Sequence, residues 1–222
     1  MGYNVAIDGP AGAGKSTIAK LVAKKKGYVY VDTGAMYRGL AVYFLDQGIR
    51  PEETEKIVEA CKSAEVTIRY EEGRQQVYLN GENITSRLRD EEVGNMASKS
   101  ALLPEVRAKL LELQQNLART EDVIMDGRDI GTCVLPDADV KVFLTASVET
   151  RAKRRYDELT EKGIDCNLEE IEKDIRERDE RDMTREIAPL RQAEDAVLVD
   201  SSHMTIDEVV EKIAGLCGSC VS

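Results

Sequence analysis

Apolar residues along this chain change their period several times, and each change marks a boundary between elements. Residues 3–8, Tyr-Asn-Val-Ala-Ile-Asp, form a short apolar-rich run that reads as a strand. A glycine-rich turn follows. From Lys15 to Lys26, Ile18, Leu21 and Val22 fall at helical spacing until Gly27 stops the pattern. Tyr28-Val29-Tyr30-Val31 reads as the next strand, and helices are predicted over 34–47 and 52–64. The period then shortens: Val66, Ile68 and Tyr70 alternate, Glu-Glu-Gly-Arg turns the chain, and Val77 and Leu79 alternate again before Asn80-Gly81, a hairpin-type turn. A small antiparallel insert over about 65–86 is predicted. Helical periodicity resumes near Asp90 and runs to Leu117, broken at Pro104. Strands at 122–126 and 140–144, helices at 147–161 and 167–183, a strand at 196–199 and a helix from Ile206 complete the chain. Strands that alternate with helices imply a mostly parallel sheet covered on both faces.

The turn after the first strand carries chemistry. Gly9-Pro10-Ala11-Gly12-Ala13-Gly14-Lys15-Ser16 fits the phosphate-loop pattern G-x-x-x-x-G-K-[ST], with Thr17 behind it, between a predicted strand and a predicted helix. Glycines let successive backbone N–H groups curl inward toward phosphate oxygens, and the helix adds its positive end. Lys15, expected in an exposed cleft, would neutralise a transferred phosphate, and the Ser16 hydroxyl would sit on Mg²⁺. The motif specifies a nucleoside triphosphate and is silent on the second substrate.

Charge narrows the partners. The net charge is -11 with a pI near 4.8, which disfavours a nucleic-acid polymer but not a small phosphorylated ligand in a local basic cleft. No apolar run reaches the roughly 20 residues of a membrane helix, and the N-terminus lacks a signal-peptide pattern, so a cytoplasmic protein is expected. The cysteines are scattered and odd in number, against a disulfide framework. Cys217 and Cys220 form a C-x-x-C, yet no second pair accompanies them and the only histidine is His203, so neither zinc nor redox chemistry is expected there.

Three further clusters suit a second phosphorylated ligand. Asp32-Thr33-Gly34-Ala35-Met36-Tyr37-Arg38 follows the second strand, where ligands of open α/β sheets gather. Met125-Asp126-Gly127-Arg128-Asp129 ends another strand, with a glycine that lets Arg128 and Asp129 face a cleft. In Arg178-Asp179-Glu180-Arg181-Asp182-Met183-Thr184-Arg185, residues 178, 181, 182 and 185 fall at i, i+3, i+4 and i+7 on one helical face. Alone, that run suits a solvated face of ion pairs better. Beside a phosphate loop it also suits phosphoryl transfer, which needs fixed cations with arginine's bidentate fork.

Gly-Pro-x-Gly-x-Gly-Lys, Asp-Thr-Gly-Ala-x-Tyr-Arg, Asp-Gly-Arg-Asp-x-Gly-Thr, Arg-Asp-x-Arg-Asp and Arg185-Glu186-Ile187-Ala188-Pro189-Leu190 occur in this order. Together they resemble the bacterial-type cytidylate kinases of the nucleoside monophosphate kinase group, over essentially the whole chain. The resemblance implies a three-layer α/β P-loop fold with a five-stranded parallel sheet, the antiparallel β insert and a helical lid at about 151–166. It implies one kinase domain, with a core of 1–32, 118–150 and 185–222 and a monophosphate-binding region at 33–117. The implied reaction passes phosphate from ATP, with Mg²⁺, to CMP or dCMP, in a monomer.

Residue by residue, the resemblance implies that Arg38, Arg128 and Arg185 grip the acceptor phosphate and that Ser98, Arg107 and Asp129 read cytosine. Arg178 and Asp182 would hold the sugar, and Thr33 and Tyr37 would belong to the acceptor pocket. Arg154, on a helical face with Arg151 and Arg155, would join Lys15, Arg128 and Arg185 in catalysis. Gly9, Pro10, Ala11, Gly12, Ala13, Gly14, Lys15, Ser16 and Thr17 would hold ATP. Ser16 stands where some members have glycine. A shikimate- or uridylate-type kinase would share the phosphate loop but lack such a base-reading group. A GTP-dependent switch would need an Asn-Lys-x-Asp motif, which the chain does not contain.

Overall fold

The computed structural model describes residues 2–218, which form two compact units. The first comprises Met1–Tyr30 and Glu121–Ser222, the second Val31–Thr120. In chain order the elements are β1 (Asn4–Asp8), α1 (Lys15–Lys26), β2 (Val29–Asp32), α2 (Thr33–Asp46), α3 (Thr54–Ser63), β3 (Val66–Glu71), β4 (Arg74–Leu79) and β5 (Glu82–Asn83). A 3₁₀ turn (Thr85–Arg89), α4 (Glu91–Ser100), α5 (Pro104–Thr120) and β6 (Val123–Gly127) follow. A π-helical turn (Ile130–Val134), β7 (Val140–Thr145), α6 (Val148–Glu161), α7 (Leu168–Thr184), β8 (Val197–Asp200) and α8 (Ile206–Leu216) complete the chain.

The main sheet has five parallel strands in the order β2-β6-β1-β7-β8. β1 sits at its centre, with Ala6 opposite Met125 of β6 and Lys141 of β7. Val5, Ala6 and Ile7 are fully buried, as a central parallel strand covered on both faces requires. Val5 and Ile7 share one core with Ile18, Ala19, Val22 and Ala23 of α1 and Val209, Val210, Ile213 and Ala214 of α8. The small side chains Ala19 and Ala23 allow this packing. Leu21, assigned above to the apolar stripe of α1, is 40% exposed because the buried face runs through the alanines instead. Gly27 ends α1 in a left-handed conformation, and Thr205 with Glu208 caps α8 by a reciprocal box.

In the second unit, α2 is the hub, N-capped by Asp32, whose carboxylate accepts the Ala35 N–H at 2.9 Å. Met36, Leu40 and Phe44 of α2 are buried along with Ile57, Val93, Met96, Val106 and Leu110. The antiparallel sheet β3-β4-β5 rests on α2 through Val66 and Val77. A Cβ on Gly39 would come within 3.1 Å of Val77 Cγ1, so the helix approaches the hairpin this closely only because residue 39 is glycine. Both hairpin turns, Glu72-Gly73 and Asn80-Gly81, have positive φ at both positions, which matches the twist of the flanking strands.

Candidate functional site

β1 runs into the phosphate loop, and backbone packing dictates its first residue. A Cβ at Gly9 would lie 1.9 Å from the Leu144 carbonyl oxygen of β7, and φ there is 149°, so no other residue fits. Lys15 opens α1, and its ammonium donates to the Pro10 carbonyl at 2.8 Å across the loop. Only 6% of Lys15 is exposed, which corrects the expectation of an open cleft: the loop backbone closes around the side chain. Burial first, and then the nearby Arg128 cation, pull its pKa down to about 7, with Asp126 and Asp8 opposing the shift. The next residue, Ser16, donates its hydroxyl to Asp126 at 2.8 Å, and the Tyr30 hydroxyl donates to the other Asp126 oxygen at 2.8 Å. Thr17 is exposed on the first turn of α1.

The strand β6 ends beside this loop, with Gly127 opposite Asp8. Arg128 then donates from Nε to Asp182 of α7 at 2.8 Å. Asp129 meets Arg185 at 3.4 Å, and Arg185 Nε also donates to the Ala188 carbonyl at 2.7 Å. Two of the expected arginines therefore already face carboxylates from the same set. Arg178, exposed on α7, is close enough to depress the Lys15 pKa. The helix ends at Thr184, so Arg185 caps it in an extended conformation instead of continuing a face with 178, 181 and 182. Arg181 is exposed, and the buried positions of α7 are Asp179 and Asp182. The single charged helical face expected above is corrected accordingly.

Three more side chains organise this region, and of these only Asp8 is not singled out in the sequence. Asp8, the last residue of β1, is 4% exposed and accepts the N–H groups of Ile130 at 2.8 Å and Gly131 at 2.7 Å. Burial pushes its pKa up to about 6, against the pull of those N–H groups. Arg151, placed above in the lid, is a buried anchor in α6. It donates to the carbonyls of Ala11 in the phosphate loop and Ala146, both at 2.9 Å, and to Asp179 at 2.5 Å. Arg154, one turn further, bonds the Ser201 carbonyl at 2.8 Å, at the end of β8.

The second unit carries the other expected residues. Thr33 is buried at the start of α2, Arg38 lies on the same helix, and Ser98 is half-buried in α4. The Arg107 guanidinium of α5 stands 5.9 Å from the centre of the Tyr37 ring, within cation–π range. Cys217 is buried at the end of α8, and Cys220 lies outside the described residues. Among the described residues, no helix is long and apolar enough to cross a membrane.

A buried lysine in a glycine loop, a hydroxyl–carboxylate pair and paired arginines are the parts of a phosphoryl-transfer centre. Among solved structures, an uncharacterised protein from Eubacterium ventriosum superimposes with a TM-score of 0.50 at 11% identity, covering 96% of each chain, which speaks to the fold alone. Curated relatives are far nearer in sequence. The cytidylate kinase of Caldicellulosiruptor saccharolyticus is 52% identical over 96% of this chain and 94% of its own. That of Shouchella clausii is 50% identical over 97% and 96%, respectively. The family profile described as cytidylate kinase matches residues 5–218. With the ordered motifs, the geometry of the phosphate loop and these relatives in agreement, the chain belongs to the cytidylate kinase family and is a phosphate-transferring kinase.

Proposed function

We propose that this protein phosphorylates CMP and dCMP with ATP, giving CDP or dCDP and ADP. The observation that carries the reading is the convergence, within one unit, of Lys15, the Ser16–Asp126 pair and the Arg128–Asp182 and Arg185–Asp129 pairs. The phosphate loop Gly9–Thr17 would cradle the donor phosphates with its N–H groups. Lys15, released from Pro10, would meet the γ-phosphate, whose negative charge favours the ammonium form. An oxygen of the acceptor's phosphate attacks the γ-phosphorus, and the bond to the bridging oxygen of ADP breaks. That oxygen is already anionic at neutral pH, so the step needs alignment and charge neutralisation rather than a strong general base.

Arg38, Arg128 and Arg185 would hold the acceptor phosphate, with Arg178 and Asp182 on the sugar and Thr33 and Tyr37 along the pocket. Ser98, Arg107 and Asp129 would read the base: Asp129 accepts from the amino group of cytosine, and Arg107 donates to its ring nitrogen and carbonyl. Uracil reverses the donor and acceptor at the first two of these positions. Arg154 would assist the donor phosphates by exchanging its Ser201 contact for them. The hard oxygens of Ser16 and Asp126 fit a hydrated Mg²⁺, which would neutralise charge on the donor phosphates. A cytoplasmic monomer is the reading that the resemblance supports.

A coupled assay of ADP release across CMP, dCMP, UMP, AMP, GMP and shikimate tests this. CMP and dCMP should give the highest kcat/KM, UMP less, and shikimate nothing. A preference for any other acceptor would overturn the proposal.

A further inference from the structure

We infer that Asp8 is a positioning residue for the turn that carries Arg128 and Asp129. Its carboxylate binds the backbone of that turn to the strand leading into the phosphate loop, so that the donor and acceptor machinery of this unit form one piece. The inference rests on the proposed roles of Arg128 and Asp129.

The mechanism above gives Asp8 no task, yet the residue is buried and ionisable, a costly combination unless its oxygens are used. Both are used. Oδ1 takes the Ile130 N–H at 2.8 Å and Oδ2 the Gly131 N–H at 2.7 Å. The register of the sheet brings them there, because Asp8 lies opposite Gly127, the last residue of β6. Arg128 and Asp129 are the residues between that strand end and Ile130. The chain is thus clamped on both sides of them, by the sheet before and by Asp8 after. Asp129 also starts the π-helical turn, its carbonyl accepting the N–H groups of Cys133 at 2.8 Å and Val134 at 3.2 Å. The backbone that carries these two side chains is therefore restrained on both sides.

Residue 131 shows how close the fit is. A Cβ there would stand 3.2 Å from Lys141 Cδ and 3.4 Å from Asp8 Oδ2, so an alanine crowds the lysine stem beside the carboxylate, and either that stem or the turn must give by a few tenths of an ångström. A carboxylate also suits this task better than an amide. It presents two acceptors to two N–H groups, whereas asparagine would turn an NH₂ against one of them. Lys15 and Asp129 are the charged groups that act on Asp8, and their opposite signs leave the two N–H groups as its specific partners.

The test compares Asp8→Asn, Gly131→Ala and Asp129→Asn in the full-length enzyme, with KM and kcat measured for CMP, UMP and ATP. Asp8→Asn should cut kcat/KM for CMP by at least about tenfold and narrow the preference for CMP over UMP, with the KM for ATP changing less than about twofold. Gly131→Ala should do the same in weaker form, and it decides the matter should Asp8→Asn fail to fold. Normal CMP kinetics and preference in whichever of the two variants folds would overturn the inference. Asp129→Asn separates the two layers. If it leaves base preference intact, the reading of Asp129 is wrong, and Asp8 is then judged on the KM for CMP alone, through Arg128. If it relaxes base preference and the Asp8 and Gly131 variants do not, the clamp is wrong.

Discussion

Arg151 offers a prediction whose magnitude follows from its surroundings. Its guanidinium serves the carbonyls of Ala11 and Ala146 and the carboxylate of Asp179 at once. Asp179 is 7% exposed, and its second oxygen, Oδ1, has no hydrogen-bond partner, so Arg151 alone balances a buried charge there. Replacing Arg151 by Met strands that charge and two carbonyls. Removing one member of a buried pair costs about 3–5 kcal/mol. In a protein of this size each kcal/mol lowers Tm by about 2–4 °C, so a fall of roughly 6–20 °C is expected. Combining Arg151→Met with Asp179→Leu removes the stranded charge as well and should return stability to within about 2 kcal/mol of the wild type. Urea unfolding followed by circular dichroism, with a double-mutant cycle, reads this as a coupling of at least about 2 kcal/mol. Additive losses, or a loss under about 1 kcal/mol for Arg151→Met, would refute the buried-pair argument.

Asp8 supplies a pH signature: with its native pKa raised from 3.8 to about 6, the folded state holds a proton over that window that the unfolded state has released. Stability contributed at this site therefore falls as pH rises from about 4 to 6, and Asp8→Asn should gain on the wild type by up to about 3 kcal/mol between those limits; a pH-independent difference in urea-derived stability would contradict it. Arg107→Met should cut kcat/KM for CMP at least about tenfold and narrow its lead over UMP, through loss of a charge-assisted hydrogen bond, with the KM for ATP nearly unchanged. Full preference for CMP at normal efficiency in a steady-state assay would place base reading on other residues.

Much of this architecture is legible in local patterns, and the reason is that it is made by local forces. The phosphate loop is announced by glycines at fixed offsets between a strand and a helix, and the insert by the alternation of Val66, Ile68, Val77 and Leu79. Gly27 and Asn80-Gly81 stop and turn the chain where positive φ is needed. What the sequence hid depends on partners far away along it. Ser16 finds Asp126 at a separation of 110 residues, Asp8 finds Ile130 at 122, and Arg151 finds Ala11 at 140. No periodicity reports such a meeting. Arg151 and Asp179 each sit in a charge-rich helix, where a local reading sees only solvated ion pairs. The exposure of Leu21 has the same origin, since α8 packs against the alanines of α1 and leaves that leucine outside. The helical face drawn through 178, 181, 182 and 185 assumed a helix that runs one residue too far.

Arg128 and Arg185 find partners within the chain itself, in Asp182 and Asp129. Each guanidinium thus carries an anion tethered to its own chain, and a tethered competitor acts at an effective concentration on the order of millimolar or more. A solitary inorganic phosphate, gripping one cation at a time, gains little by displacing it. A ligand that also brings a sugar and a base to the same residues can repay the exchange with contacts that the carboxylates do not make. If Arg128 and Arg185 hold the acceptor phosphate as proposed, their own carboxylates are its rivals, and a ligand with fewer contacts to offer has more difficulty displacing them.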